Sequence, residues 1–315
     1  MKIAFLDRST FSATIAFPVA RLAAEWQEHA HTAPDEVLAR ASAAAVVVTN
    51  KVKFPAALLE KLPRLRLVAV AAAGVDHVDL DAARRLGIGV CHVRDYATHS
   101  VPEHVFAVLL ALRRNLIAYA AAATNGTWAR AGNFCLHNWP IEDLAGSTLG
   151  IVGAGTLGQS VARLGAAFGM RVLLAEQRGA PLRPGRVAFE RVLAEADVLS
   201  LHVPLTPATR NLIGATELAR LKPSAILINS ARGGVVDEVA LVEALRAGQL
   251  AGAAVDVLTA EPPPADHPLL SAGLPNLLVT PHIAWASRQA QQRMADEVVE
   301  NIAAFLRGEH RNRVV

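Results

Sequence analysis

Three polar residues, Arg232, Glu261 and His282, each follow a short apolar segment with the composition of a buried strand. A guanidinium can bind a carboxylate through two parallel hydrogen bonds, and an imidazole exchanges protons near neutral pH. A carboxylate beside the imidazole favours its protonated form. Taken singly, each residue also fits an ordinary role in a solvated loop or turn. Together they suit proton transfer to a substrate whose carboxylate is bound by the arginine.

The strand pattern predicts where these residues meet. Short β-branched runs alternate with helical patterns, which is typical of parallel sheets covered by helices on both faces. The predicted strands are residues 2–6, 45–49, 67–70 and 89–92, then 148–152, 171–175, 198–202, 225–229, 253–257 and 277–280. Ligands bind such open sheets at the carboxyl ends of the strands. We therefore expect the arginine, the glutamate and the histidine at one edge of the second sheet.

A glycine-rich turn lies at the same edge. Residues 149–158 read LGIVGAGTLG, so Gly153, Gly155 and Gly158 match the G-x-G-x-x-G pattern between a predicted strand and a predicted helix. The glycines allow a tight turn, close approach to a pyrophosphate and close packing of helix on strand. The next predicted strand ends at Glu176, where an acid binds ribose hydroxyls and disfavours NADP. Arg178, two residues later, weakens that preference for NAD.

The helical patterns complete a picture of two domains, because 315 residues exceed what one hydrophobic core usually serves. Helices are predicted at residues 17–29, 81–86, 101–123, 159–168 and 286–306. The last of these would return the chain to the first domain. We expect a discontinuous domain of residues 1–99 and 285–315, and a complete dinucleotide-binding fold at residues 100–284.

Composition excludes several classes of protein. The formal charge is +3 with no long run of Lys or Arg, which disfavours nucleic-acid and membrane binding. The apolar stretch 105–123 is interrupted by Arg113, so no transmembrane helix is expected. Only two cysteines occur, which indicates a reducing, cytoplasmic environment. His99 and His104 lack the spacing of a helical zinc site, so no metal is predicted and surface or capping roles are expected for both.

Four segments, in order, resemble signature blocks of the D-isomer-specific 2-hydroxyacid dehydrogenases, and the resemblance covers essentially the whole chain. They are residues 150–158 (GIVGAGTLG), 228–238 (INSARGGVVDE), 254–262 (AVDVLTAEP) and 279–287 (VTPHIAWAS). Within the family, the chain is most similar to the glycerate dehydrogenase or hydroxypyruvate reductase branch. The resemblance implies a Rossmann NAD-binding domain inserted in a smaller flavodoxin-like substrate domain, both doubly wound, and a homodimer.

The resemblance also implies roles for residues. Arg232, Glu261 and His282 would be catalytic, and the backbone N–H groups of Gly74 and Val75 would bind the substrate carboxylate. Arg232 and His282 would also contact the substrate. From its position at a strand end, Asp256 is either a buried structural carboxylate or a contact to the nicotinamide, and the resemblance implies the contact. His202 is either structural or has its backbone near the adenosine. The residues predicted to bind the cofactor are Gly153, Gly155, Thr156, Leu157, Gly158, Glu176, His202, Val203, Pro204, Ala231 and Asp256.

The expected activity is NAD-dependent reduction of a small 2-oxo acid, such as hydroxypyruvate or glyoxylate, to the D-2-hydroxy acid. Two alternatives share the glycine-rich turn. One is a non-catalytic NADH-sensing binding protein on the same scaffold. The other is a phosphite or formate dehydrogenase, whose substrate has no 2-hydroxyl group.

Overall fold

A computed structural model describes all residues, 1–315, and the chain divides into two compact units. One unit comprises Met1–Tyr96 and Ala286–Val315, and the other comprises Ala97–Trp285. Each unit contains one sheet whose strands are all parallel. The predicted fold class, two doubly wound α/β domains, is confirmed.

The discontinuous unit has five strands in the order β2-β1-β3-β4-β5, the order of flavodoxin-like sheets. The strands are β1 (Lys2–Phe5), β2 (Glu25–Glu28), β3 (Val46–Thr49), β4 (Leu67–Val70) and β5 (Gly89–Cys91). The helices are α1 (Val37–Ala41), α2 (Ala56–Leu59), α3 (Leu80–Arg85) and, from the C-terminal segment, α11 (Arg288–Leu306). Every residue of β3 and β4 is buried, because both faces of the sheet are covered.

The predicted helix at residues 17–29 is wrong. This segment forms a 3-10 turn at Val19–Arg21 and then the edge strand β2, which pairs with β1. The rings of Phe17 and Trp26 pack against the buried ring of Phe5, with centroids 5.1 and 6.1 Å away. Tertiary packing of these aromatic side chains on the sheet therefore overrides the local helical pattern.

The continuous unit has six strands in the order β11-β10-β9-β8-β6-β7. They are β6 (Thr148–Val152), β7 (Arg171–Leu174), β8 (Val198–Leu201), β9 (Ile226–Asn229), β10 (Gly252–Val255) and β11 (Leu277–Val279). A parallel bridge from Ala175 to Val187 extends the sheet beyond β7. If Val187 is counted as the third strand of this unit, after β6 and β7, the strands from Val187 to β10 follow the order of a Rossmann sheet, and β11 is one further strand at the edge. The strand order reverses between β6 and β8.

Seven helices belong to this unit. They are α4 (Ser100–Arg113), α5 (Leu116–Thr124), α6 (Thr156–Ala167), α7 (Phe189–Glu195), α8 (Ala215–Leu218), α9 (Glu238–Arg246) and α10 (Pro268–Ser271). The single helix predicted at residues 101–123 is in fact two, α4 and α5. They are separated at Asn115, whose φ of 46° lies in the left-handed region, and are bent by 59°. The left-handed residue interrupts the helical hydrogen bonds that the apolar pattern alone would continue.

No single helix is both long and apolar enough to cross a membrane. The bent pair α4 and α5 meets that criterion only when the two are taken together, by length and composition.

Candidate active site

The strand order places the candidate residues in sequence along one edge of the sheet. From one side to the other, the loops after β11, β10 and β9 carry His282, Glu261 and Arg232. The glycine-rich turn follows β6 and Glu176 follows β7, so both lie on the other side of that edge. Parallel strands all end at the same edge, which brings together groups that are far apart in the chain.

Glu261 and His282 form a hydrogen-bonded pair. Nδ1 of His282 lies 2.7 Å from Oε2 of Glu261, and the other carboxylate oxygen accepts a hydrogen bond from Leu258 N–H at 2.9 Å. A carboxylate only accepts hydrogen bonds, so Nδ1 must carry the proton of this bond. Nε2 of the histidine has no partner within the chain and remains available to exchange a proton. The pair lines a cavity of about 410 Å³.

Asp256 holds the turn that carries His282. Its buried side chain accepts hydrogen bonds from Thr280 Oγ1 at 2.5 Å and from Ile283 and Ala284 N–H, both at 2.9 Å. Its backbone oxygen accepts from His282 N–H at 2.8 Å. His282 has a φ of 55°, a strained conformation for a residue with a side chain. The contacts of Asp256 therefore position the histidine, while a contact to nicotinamide stays a prediction.

Arg232 has no acidic partner, and its guanidinium donates one hydrogen bond, to the carbonyl oxygen of Ala231 at 2.8 Å. The next residue, Gly233, contacts the chain after β10 so closely that a Cβ there would lie 2.0 Å from Leu258 O. Leu258 in turn binds Glu261. The glycine thus allows the loop carrying Arg232 to pack against the loop carrying Glu261.

The glycine-rich turn fits a dinucleotide. Gly153 has a φ of 92°, and a Cβ on Gly158 would lie 2.1 Å from Gly153 O. A Cβ on Gly155 would instead meet no atom within 4 Å, because this glycine faces open space. The first N–H groups of α6, at Thr156 and Leu157, have no acceptor within the helix and suit a phosphate.

The carboxylate at the end of β7, Glu176, is hydrogen-bonded to other groups of the chain. Both oxygens of Glu176 bind the guanidinium of Arg183, at 2.7 Å from Nε and 2.6 Å from Nη2. The N–H groups of Gln177 and Arg183 donate to the same carboxylate, at 2.8 and 3.3 Å. The Arg183 hydrogen bonds, helped by that of Gln177, lower the pKa of Glu176 to about 2. This arginine was missed in the sequence because it lies in an irregular loop seven residues away.

His202 has a structural environment. Its ring is hydrogen-bonded to Ser200 Oγ at 2.9 Å, and burial lowers the pKa of its imidazole to about 4, so it is neutral at neutral pH. Its backbone oxygen lies against Gly153. Val203 and Pro204 line the cavity of about 520 Å³ that also contains the glycine-rich turn and Glu176. Ala231 donates its N–H to Asn229 Oδ1 at 3.1 Å.

Gly74 and Val75 lie in the loop after β4 of the discontinuous unit. No hydrogen bond within that unit uses either backbone N–H group as donor. Nδ1 of His92 binds Ala73 O at 2.7 Å and fixes the preceding residue of the loop. The two N–H groups are therefore available to an anion, as the role predicted for them requires.

Three further residues support the site and were not predicted. Nε2 of His104 lies 3.3 Å from Thr280 Oγ1, so the surface or capping role expected for it is wrong. His99 precedes α4, and its side chain makes no capping hydrogen bond. Glu238 accepts hydrogen bonds from Thr259 N–H at 2.8 Å and from Nε2 of buried His267 at 3.1 Å. Glu238 and His267 thereby hold the loop containing Glu261, and their separation in sequence gave no signal.

A family model described as D-isomer specific 2-hydroxyacid dehydrogenase, NAD binding domain, matches residues 106–284, more than half of the chain. The chain belongs to this family. The predictions of the family and of an NAD-binding domain are confirmed.

Similar proteins place the chain near the glycerate dehydrogenase branch of the family. The glycerate dehydrogenase of Methylorubrum extorquens is 46% identical, with 99% of this chain and 98% of the relative covered. The hydroxypyruvate reductase of Blautia hydrogenotrophica is 34% identical, over 87% of this chain and 86% of the relative. The fold is also similar to a crystal structure of D-lactate dehydrogenase from Aquifex aeolicus complexed with NAD and lactic acid, with a TM-score of 0.81. The two sequences are 30% identical, and the match covers 98% of this chain and 96% of that one.

Two glycine substitutions should separate the folding role of the turn from its binding role. Gly155→Ala adds a methyl group in open space, so the melting temperature should stay within about 2 °C of the parent while NADH affinity falls at least about tenfold. Gly158→Ala pushes a methyl group into a backbone oxygen, so stability and NADH affinity should both fall. Thermal unfolding and fluorescence titration with NADH measure these effects.

Gly248→Ala is the matched control, because Gly248 lies after α9, outside the cavity lining and with no neighbour for a Cβ, although its positive φ costs some stability. It should leave NADH affinity unchanged. Parent-like NADH binding by Gly155→Ala would contradict the placement of the pyrophosphate at this turn.

Proposed function

We propose that the protein reduces a small 2-oxo acid with NADH to the D-2-hydroxy acid, with hydroxypyruvate and glyoxylate as the favoured substrates. The observation that carries this proposal is the Glu261–His282 pair, whose Nε2 is left without a partner, on the same edge of the sheet as Arg232, which has no acidic partner. The name of the 46% identical relative, glycerate dehydrogenase, supports the substrate class. Bound NADH supplies the hydride to the carbonyl carbon.

His282 supplies the proton. As the carbonyl carbon of the substrate gains a hydride, negative charge develops on the carbonyl oxygen. That oxygen takes the proton from Nε2 of His282, so that the C=O group becomes a C–OH group. The imidazole becomes neutral in this step, and its Nδ1–H stays bound to Glu261. The carboxylate stabilises the imidazolium before transfer and keeps the ring oriented. In the direction of oxidation, the same Nε2 accepts the hydroxyl proton.

Arg232 binds the substrate carboxylate. Its guanidinium uses one donor on Ala231 O, which leaves donors for an anion. The positive charge next to the carboxylate also polarises the adjacent carbonyl group. We propose that the N–H groups of Gly74 and Val75 bind the same carboxylate, and that the discontinuous unit is the substrate-binding domain.

Replacement of His282 by Gln should remove the proton donor while keeping a side chain of similar size. We expect kcat for hydroxypyruvate reduction to fall about 10²- to 10⁴-fold, with NADH affinity within about twofold of the parent. Steady-state kinetics and NADH titration measure the two quantities. Glu261→Gln should lower kcat less, because it leaves the imidazole in place.

His267→Gln provides a control for His282→Gln, because His267 supports the Glu261 loop without lining the cavity. It should retain far more activity. Full activity of His282→Gln would refute the proton-donor role. If the parent oxidised phosphite or formate but reduced none of the 2-oxo acids tested, it would instead be a phosphite or formate dehydrogenase. NADH binding without any turnover would support a sensor.

We also propose a homodimer in the cytoplasm. The region from α5 to residue 139 exposes large apolar side chains, among them Leu116 and Ile117 at 58% and 60% exposure and Phe134 at 90%. Such a cluster is typical of a protein–protein interface. Light scattering should give twice the 33.3 kDa chain mass, and a monomer at micromolar concentration would contradict the dimer.

The proposed location in the cytoplasm rests on the cysteines. Both are free, which suits a reducing compartment.

A further inference from the structure

The wall of the adenosine end of the dinucleotide cavity carries more positive than negative charge. Glu176 is one carboxylate of its lining, and Arg178, Arg183 and Arg186 contribute three guanidinium groups. A carboxylate at the end of the second Rossmann strand normally accepts hydrogen bonds from the ribose hydroxyls. What matters for cofactor preference is whether this carboxylate is free to do so.

The hydrogen-bonding capacity of Glu176 is used by the chain itself. A carboxylate has about four lone-pair sites, and four donors occupy them: two from the guanidinium of Arg183, and the N–H groups of Gln177 and Arg183. A ribose hydroxyl must therefore displace one of these donors. The guanidinium also offsets the negative charge that would repel a 2′-phosphate.

Arg183 retains donors for a phosphate. Its guanidinium binds Glu176 through Nε and Nη2, while Nη1 makes no hydrogen bond within the chain, and two-thirds of the side chain is exposed. The other two arginines stand beside it. Arg178 is fixed by Glu217 at 2.5 Å and by the ring of Phe189 at 4.9 Å. Arg186 makes only long contacts, 3.4 and 3.5 Å, to backbone oxygens.

We propose that Arg183 is a specificity-determining residue that neutralises Glu176 and gives the site a comparable affinity for NADPH and NADH. This proposal rests on the dinucleotide site of the proposed function, and it does not depend on the identity of the 2-oxo acid. Arg183 acts in two ways. It occupies the carboxylate that would favour NADH, and it offers charge and donors to the 2′-phosphate of NADPH.

Binding of the two dinucleotides by Arg183→Gln tests the proposal without any substrate. Fluorescence titration at one fixed salt concentration should give parent Kd values for NADH and NADPH within about tenfold of each other. In Arg183→Gln, the Kd for NADPH should rise about tenfold or more, because charge-assisted hydrogen bonds to the phosphate are lost. The Kd for NADH should fall or stay unchanged, since Glu176 is released.

Arg191→Gln is the matched control. Arg191 is also exposed and paired with a glutamate, Glu195 at 2.6 Å, but it lies outside the cavity. It removes the same charge from the same domain and should leave both Kd values within about twofold of the parent. Parent-like melting temperatures would show that both variants are folded.

The double variant Glu176→Gln with Arg183→Gln separates the two effects. With no carboxylate to release, Arg183→Gln should no longer tighten NADH, while its effect on NADPH should persist. Two results would overturn the proposal. One is a parent Kd for NADPH more than about 100-fold above its Kd for NADH. The other is a ratio of the two Kd values that differs less than about threefold between Arg183→Gln and the parent. Loss of 2-oxo acid turnover with both dinucleotides still bound would refute the proposed reaction alone.

Discussion

The geometry of the candidate site depends on the buried side chain of Asp256. It accepts hydrogen bonds from Thr280, Ile283 and Ala284, and thereby fixes the turn in which His282 adopts its left-handed conformation. A strained residue of this kind costs about 1–3 kcal/mol, whereas each hydrogen bond to a charged acceptor contributes about 1.5–3 kcal/mol. Three such bonds outweigh the strain. The imidazole is consequently held where Glu261 can bind one nitrogen and leave the other free.

The remaining groups follow from the sheet. Because its strands are parallel, one edge carries the Glu261–His282 pair and Arg232 at one end and the glycine-rich turn and Glu176 at the other. The residues proposed for proton transfer and those proposed for cofactor preference are thereby separated along the edge of a single domain. Substitutions at the Glu176–Arg183 pair should alter which dinucleotide binds without disturbing proton transfer, since the two clusters share no hydrogen bond.

Much of this arrangement could be predicted from the sequence, because apolar strands and glycine spacing are local signals. The strands that carry Arg232, Glu261 and His282 were predicted to within two residues of their observed ends. The edge strand β2 was not, because Phe17 and Trp26 are held by packing on Phe5, which no local pattern records. The roles of Arg183 and of the Glu238–His267 pair were not predicted for the same reason, because their partners are determined by the fold and not by spacing in the sequence.

A crystal structure of the protein with NADH and oxamate, an unreactive analogue of a 2-oxo acid, tests the central claim most directly. The nicotinamide should lie beside the ends of β9, β10 and β11, with the adenosine ribose beside β7. Nε2 of His282 should lie within hydrogen-bond distance of the 2-oxo oxygen of the inhibitor. A dinucleotide bound in the reverse direction, or an imidazole turned away from that oxygen, would contradict the assignment of His282 as the proton donor.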